Sequence, residues 1–562
     1  MGSSISKGRK YSPTKSVTRK NPNPFLEQAT FSCSDSTVPR SEIIEEIVCQ
    51  ENEIEENGMK VVDVGGEDGG KVLLVKQNGK ISALGTKCTH YGAPLVNGVL
   101  GDGRVRCQWH GACFNIANGD IEDFPGLDSL PCYEVEVSEE GNVKVRADKQ
   151  LLQANKRVKP FVRTLKAKTL TFMVAGGGAA GANCVETLRQ EGFEGRIIFV
   201  IGENYLPYDR IKISKSLDVD AEKILLRSAE FYRERNIELM MNTQLTELNP
   251  RGKLATLSNG QQIQYDKIFL ATGSTPRKLC TTGSHLKNIF VIRTIDDGKE
   301  IMKVLTKDSK VVILGTSFIG MEAAAFCSGK AKSVVVVGRN KPFKMSLGEV
   351  IGDRVMRLFE DNKVTFRLNQ TIEKFEGENG TLTGIELSDG SKLECDICII
   401  GIGVTSNTDY LKPETMKLGK NNAIDVNEYL QSQYSDVYAG GDIAIAPVLG
   451  QKANIGHWGL ANYHGHIAAL NMLEKKKPLN AVPFFWTMLY GKGFRYAGYA
   501  SSYDDVVIDG NVEDFKFIAF YCSGNNVLAV TTIGRDPLAA KFAEMLYEGK
   551  KLSKNKIQNW LK

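Results

Sequence analysis

The sequence predicts a multidomain protein of mixed class: a small all-β domain, two parallel-sheet α/β units and a closing α+β unit. Three observations carry this expectation. A chain of 562 residues is longer than one core usually organises. Short strand-like runs separated by Gly, Asn and Asp fill 43–146. Strand, glycine-rich loop, helix and strand then follow at 170–203 and again at 310–338, which is an internal repeat.

Residues 1–40 are polar, with Pro13, Pro22, Pro24 and Pro39, and are expected to be a disordered tail. No acid precedes Glu27, while Lys7, Arg9, Lys10, Lys15, Arg19 and Lys20 do. The start MGSSIS fits the N-myristoylation pattern at Gly2 and Ser6, and the basic residues after it are a second membrane signal. The same acid-free, Ser-rich start also fits a mitochondrial transit peptide. Hydrophobic residues at 42% and a net charge of +5 are ordinary globular values, so no nucleic-acid partner is expected. No run of about 18 apolar residues occurs, so no transmembrane helix is expected. The twelve cysteines are scattered, which suits free or metal-bound thiols in a reducing compartment.

The β-domain, 41–148, contains KVVDV, KVLLVKQ, ISALG, VRCQW, YEVEVS and NVKVRA. Within it lie CTHYGAPL and CQWHGACF, with sixteen residues between His90 and Cys107. Each half offers one thiolate and one imidazole: Cys88 with His90, Cys107 with His110. Two Cys on one iron and two His on the other make a Rieske-type [2Fe–2S] centre, with a potential in the broad range of roughly −150 to +300 mV. Two Cys and two His also suit tetrahedral zinc. The glycine-rich flanks favour the cluster, because free backbone amides can hydrogen-bond its sulfurs. These half-motifs resemble Rieske domains of the ferredoxin and oxygenase type. The respiratory-complex type has an extra Cys in each loop, where Ala93 and Trp109 stand here, and this difference implies the lower part of that range. Cys113 is expected to be a packed thiol. A basic, strandless stretch at 149–168 reads as a linker.

The first α/β unit, 169–295, opens with TFMVAGGGAAGANC. Gly176 allows a tight turn, Gly178 lets a pyrophosphate approach the backbone, and Gly181 lets helix pack on strand. The helix start at Ala179 and Ala180 offers amides to phosphate, and Glu203 stands where an acid grips a ribose diol. The second unit, 296–420, opens with KVVILGTSFIGMEAAAF and keeps Gly315 and Gly320. It departs twice: Ser317 replaces the middle glycine and is expected to crowd the pyrophosphate approach, and Gly338-Arg339 stands where an acid is expected. An Arg there can accommodate a 2′-phosphate, whereas NAD sites favour an acid, so NADH and NADPH both stay open. Cys395 and Cys398 form CxxC inside a buried-looking strand and read as core.

The order LPYDRIKISK, FLATGSTPR, VYAGGDIA resembles the two-dinucleotide flavoproteins of the ferredoxin reductase and apoptosis-inducing factor type. The resemblance implies Rossmann-like FAD and NAD(P)H domains, the FAD domain resuming at 421–480, and an interface domain at 481–562. It implies that Arg210, Lys215, Thr272, Gly273, Gly441 and Asp442 face FAD, with Asp442 on the ribityl chain. It puts Glu322 beside Lys215 at the flavin as a catalytic pair, and Gly403 and Arg339 in the NAD(P)H site. His457, Trp458 and Trp486 fall near flavin or nicotinamide. His464 and His466 are expected on a helix surface or at a cap. With the β-domain added, the chain resembles the mitochondrion-associated, Rieske-containing members of that family, which implies mitochondrial association and a role in cell death.

A flavin accepts hydride and releases single electrons, so the expected function is NAD(P)H oxidation through FAD to the intrinsic cluster and on to an unidentified acceptor. A cofactor-binding redox sensor with slow turnover is the alternative, favoured by the departures at Ser317 and Gly338. An oxygenase is not expected, as no two-His-one-carboxylate iron site is found. A membrane surface, reached through Gly2 and the basic tail, and a second copy of the chain are further candidate partners.

Overall fold

The computed structural model describes residues 42–162 and 170–562. The tail with its Gly2 signal and the end of the expected linker lie outside the described residues. Residues 43–562 form one compact unit. Among the described residues no helix is long and apolar enough to cross a membrane.

The β-domain has two antiparallel sheets. Six strands run in the order 43–50, 142–148, 132–137, 80–85, 70–77, 58–64, and four short strands, from Val99–Gly101 to Ile121–Asp123, form the second sheet. The first half-motif lies in the connection from the strand Lys80–Gly85 to Val99–Gly101, which joins the two sheets, and the second in the loop between Arg104–Arg106 and Cys113–Asn115. Over its described residues, 149–162, the expected linker has no strand but is not free. It starts as the helix Lys149–Gln153, capped by the Asp148 carboxylate. It then bridges Ser129 through Arg157, and Val162 N–H reaches the Arg189 carbonyl.

The two α/β units each hold a five-stranded parallel sheet. In the first the order is 237–240, 196–200, 171–175, 267–270, 437–439. The strand Thr171–Ala175 lies at its centre, and Phe172 to Ala175 are all buried, as a sheet covered on both faces demands. The strand Val437–Ala439 brings the chain back into this sheet. The helix Trp458–Met472 follows and packs on the helix Ala179–Gln190 so closely that a Cβ on Gly465 would sit 2.1 Å from the Ala180 carbonyl. The second sheet runs 289–291, 397–400, 310–314, 333–338, 364–368. Cys395 and Cys398 are buried in its core, the Cys395 thiol donating to the Ile397 carbonyl. The C-terminal unit is an antiparallel sheet, 484–489, 492–498, 526–533, 516–523, 505–511, backed by the helix Leu538–Tyr547.

Candidate functional site

The two half-motif loops are the same size and close in the same way. Cys88 N–H donates to the Ala93 carbonyl and Gly92 N–H to the Cys88 carbonyl. Cys107 N–H donates to Ala112 and Gly111 N–H to Cys107. The two thiols, 2% and 1% exposed, lie within hydrogen-bond reach of each other. That shared bond, then burial, pushes the Cys88 thiol well up, and the same bond brings Cys107 down. Backbone amides of His90 and Tyr91 bear on the Cys88 sulfur, and those of Trp109 and His110 on Cys107. The two imidazoles meet separately, Nδ1 to Nδ1 at 3.1 Å. Burial lowers His90 to about 4, and burial with His90 nearby lowers His110 to about 2, so both rings are neutral and offer a lone pair.

Among the described residues, no three His, Cys, Asp or Glu side chains converge on one point that could hold a single ion. Thiols pair with thiols and imidazoles with imidazoles. Two separate pairs fit a two-iron cluster with one pair on each iron, and do not fit one tetrahedral zinc. Cys113 is apart from them, buried and accepting from Arg104 Nε at 2.8 Å.

The glycine loops account for themselves. Gly176 has φ 124°, and a Cβ there would lie 2.0 Å from the Ala271 carbonyl; one on Gly181 would lie 1.9 Å from the Gly176 carbonyl. A Cβ on Gly178 would meet nothing within 4 Å. That position faces open space, so no packing contact within the protein accounts for its glycine. In the second loop Gly315 and Gly320 repeat the outer constraints, against the Gly401 and Gly315 carbonyls. Ser317 takes φ −90°, ψ −178°, nearly the −86°, −170° of Gly178, so serine costs the backbone nothing there. The expected crowding is a matter of its side chain alone, whose hydroxyl turns to the Gly401 carbonyl at 3.5 Å.

Around the first loop the remaining residues gather at the carboxyl ends of the strands, where ligands of open α/β sheets bind. Asp442 accepts from Ser274 Oγ and Arg293 Nη2, both at 2.7 Å. Burial pushes its carboxyl up, but Arg293 and Ser274 outweigh this and hold it below the usual range. Glu203 accepts from Tyr208 and Arg210, both at 2.5 Å, and Arg210 also reaches the Arg293 carbonyl. Thr272 donates to the Asn407 carbonyl, and Gly273 packs by Arg293. Gly441 N–H donates to His464 Nδ1. His464 is therefore core, 2% exposed, and His466 is half-buried by Thr187 and Phe124. This corrects their reading as surface or cap residues: the helix they sit on is covered on both sides. His457 is the cap, its Nδ1 accepting from Leu460 N–H. Arg293 carried no sequence signal, since its partner lies 149 positions away. We expect Arg293→Met to let Asp442 rise toward neutrality, and flavin absorbance per protein after gel filtration at pH 5 to fall below wild type.

The units then meet. Glu322, 5% exposed, accepts from Ser214 and Thr487 at 2.5 Å and from Lys215 at 3.0 Å. Lys215 Nζ lies 4.6 Å from the Trp486 ring centre, and that ring lies 4.0 Å from the His110 ring. Tyr91 stacks on His90 at 3.8 Å and donates to Asp209 at 2.6 Å. Arg495 donates to the Gln108 carbonyl. Trp458 donates to the Pro125 carbonyl at 2.9 Å, so its polar edge is engaged by the β-domain. Arg339 is exposed beside the second loop, and Gly403 forms an open turn with φ 98°.

Three family models match the chain: a Rieske [2Fe–2S] domain over 45–134, a pyridine nucleotide-disulphide oxidoreductase over 170–465, and a reductase C-terminal domain over 484–559. Apoptosis-inducing factor 3 of Homo sapiens is 41% identical over 92% of this chain and 86% of its own. The 5,5′-dehydrodivanillate O-demethylase ferredoxin reductase subunit of a Sphingobium strain is 29% identical over 68% of this chain and 95% of its own. Among solved structures, the covalent putidaredoxin reductase–putidaredoxin complex has a chain similar at TM-score 0.64 and 27% identity, covering 68% of this chain and 94% of that one.

Proposed function

This chain belongs to the pyridine nucleotide-disulphide oxidoreductases, here joined to Rieske and reductase C-terminal domains, and on that premise we propose that it passes electrons from NAD(P)H to its own cluster. It is a flavoprotein oxidoreductase whose cofactors are FAD and a [2Fe–2S] cluster. Bound FAD supplies the conversion between the two-electron nicotinamide and the one-electron cluster.

The observation that carries the intramolecular reading is the contact of His110 with Trp486, the ring that also covers Lys215. A cluster ligand thus rests directly on the reductase site. Glu322, held by three donors, fixes the Lys215 ammonium, which can stabilise negative charge developing beside it. Asp442, kept ionised by Arg293, offers a fixed acceptor to a ligand hydroxyl. His90 and His110, neutral and half-buried, would offer their lone pairs to an iron of the cluster. Ser317, on which a slow sensor would lean, sits without backbone strain, and this weighs toward turnover. The relatives' name, Apoptosis-inducing factor 3, extends the proposal to a part in apoptosis, and the family resemblance extends it to mitochondrial association.

Anaerobic titration of the loaded protein with NADH and with NADPH tests the reading. The flavin bands should bleach, and the EPR signal of a mixed His/Cys cluster should then appear at one electron per cluster. A cluster that stays oxidised beside fully reduced flavin would overturn the relay.

A further inference from the structure

The second glycine loop differs from the first at the place where a nucleotide ribose is read. Ala175 pairs with Val200 in the first sheet, and Leu314 with Val337 in the second. On that register Gly177 corresponds to Thr316, Ile201 to Gly338, and Glu203 to Asn340. In the first unit a bare Gly177 makes room for Ile201, since a Cβ on Gly177 would lie 2.7 Å from Ile201 Cγ2. In the second unit the small and large partners are exchanged. A Cβ on Gly338 would lie 2.6 Å from Thr316 Cγ2. The acid that grips a 2′-hydroxyl in NAD sites is therefore not simply missing at 338: the Thr316 methyl fills the space its stem would need. At the position matching Glu203 stands neutral Asn340.

Between these two neutral positions is Arg339, exposed and, among the described residues, without a hydrogen bond or ion pair. Two acids of the later helix Glu349–Asp361 are already engaged by lysines of the segment that follows Arg339. Glu349 is held by Lys341 and Lys344, each at 2.6 Å, and Asp353 by Lys341 at 2.5 Å. A 2′-hydroxyl finds no carboxylate at 338 or 340, whereas a 2′-phosphate finds a guanidinium suited to bidentate contact. Resting on the oxidoreductase reading above, we propose that the second nucleotide site takes NADPH in preference to NADH, with Arg339 meeting the 2′-phosphate.

Isothermal titration of the FAD- and cluster-loaded protein with 2′,5′-ADP and with 5′-AMP tests this without turnover. The first should bind roughly ten- to a hundredfold more tightly, the size of one charge-assisted contact. Arg339→Glu should abolish that difference, and Arg339→Lys should keep part of it. The ratio of kcat/KM for NADPH over NADH should fall at least about tenfold in Arg339→Glu. Thr316→Gly with Gly338→Asp rebuilds the space and the acid, and should move the same ratio toward NADH. Equal binding of the two fragments, or a ratio unmoved by Arg339→Glu, would overturn the assignment. Bleaching by neither nucleotide would instead overturn the oxidoreductase reading, with the fragment titration still reporting on Arg339.

Discussion

In Trp486→Ala, the lag between flavin bleaching and the reduced-cluster EPR signal should lengthen on the order of ten- to a hundredfold, the cost of losing close placement between reacting centres. Among the described residues, the indole is the one ring that lies against both His110 and Lys215. Its removal takes away the packed connection between His110, the proposed cluster ligand, and the Glu322–Lys215 pair. Trp486→Phe keeps an aromatic body on the strand Phe484–Leu489 and should recover most of the rate. Rapid-freeze EPR beside stopped-flow absorbance separates the two signals. If alanine left the lag unchanged, electrons would be reaching the cluster by another contact, and the Tyr91–Asp209 side of the docking face would be the next candidate.

What could be read in the sequence was whatever local spacing expresses. The paired CxH and CxxH loops, the two glycine-rich turns and the order of the units are short-range patterns, and each reappears in the structure as a loop closure or a close approach. Lys215 and Glu322 were placed together by resemblance, and the structure brings them to 3.0 Å from two different units. The rest depended on partners far apart in the chain. Arg293 belongs to no local motif, and its part shows only where the fold brings it to Asp442. Trp458 and Pro125 are separated by 333 positions, so the docking of the β-domain through that indole left no local trace. The bare Gly338 looked like a lost acid, and only the facing Thr316 gives it a packing reason.

The same limit hid the centre of the domain contact, and the largest stability effect follows from it. Arg104 and Arg106 are two apart on one strand, so they share a face. Two arginines on one face ordinarily point to water. Here they are 4% and 1% exposed, because Glu544 of the helix Leu538–Tyr547 covers them, 438 positions from Arg106. Glu544 meets Arg106 Nε at 2.6 Å and Arg104 Nε at 3.2 Å, and Asp123 takes the other side of both guanidinium groups. Gly101 is bare to admit the carboxylate, since a Cβ there would lie 2.1 Å from Glu544 Oε1. Such a network need not be more stable than an apolar one, but removing one member leaves buried charge uncompensated, at a cost of about 3–5 kcal/mol. Glu544→Ala should therefore lower unfolding stability by about that amount in urea. It should slow cluster reduction while NAD(P)H still bleaches the flavin at the wild-type rate, because the helix touches the β-domain rather than either nucleotide loop. Glu544→Gln keeps the shape and should lose less. A cluster reduced as fast as in wild type, in a protein so destabilised, would mean that the loop contacts of Tyr91, Gln108 and Trp458 hold the β-domain in place without the ionic network.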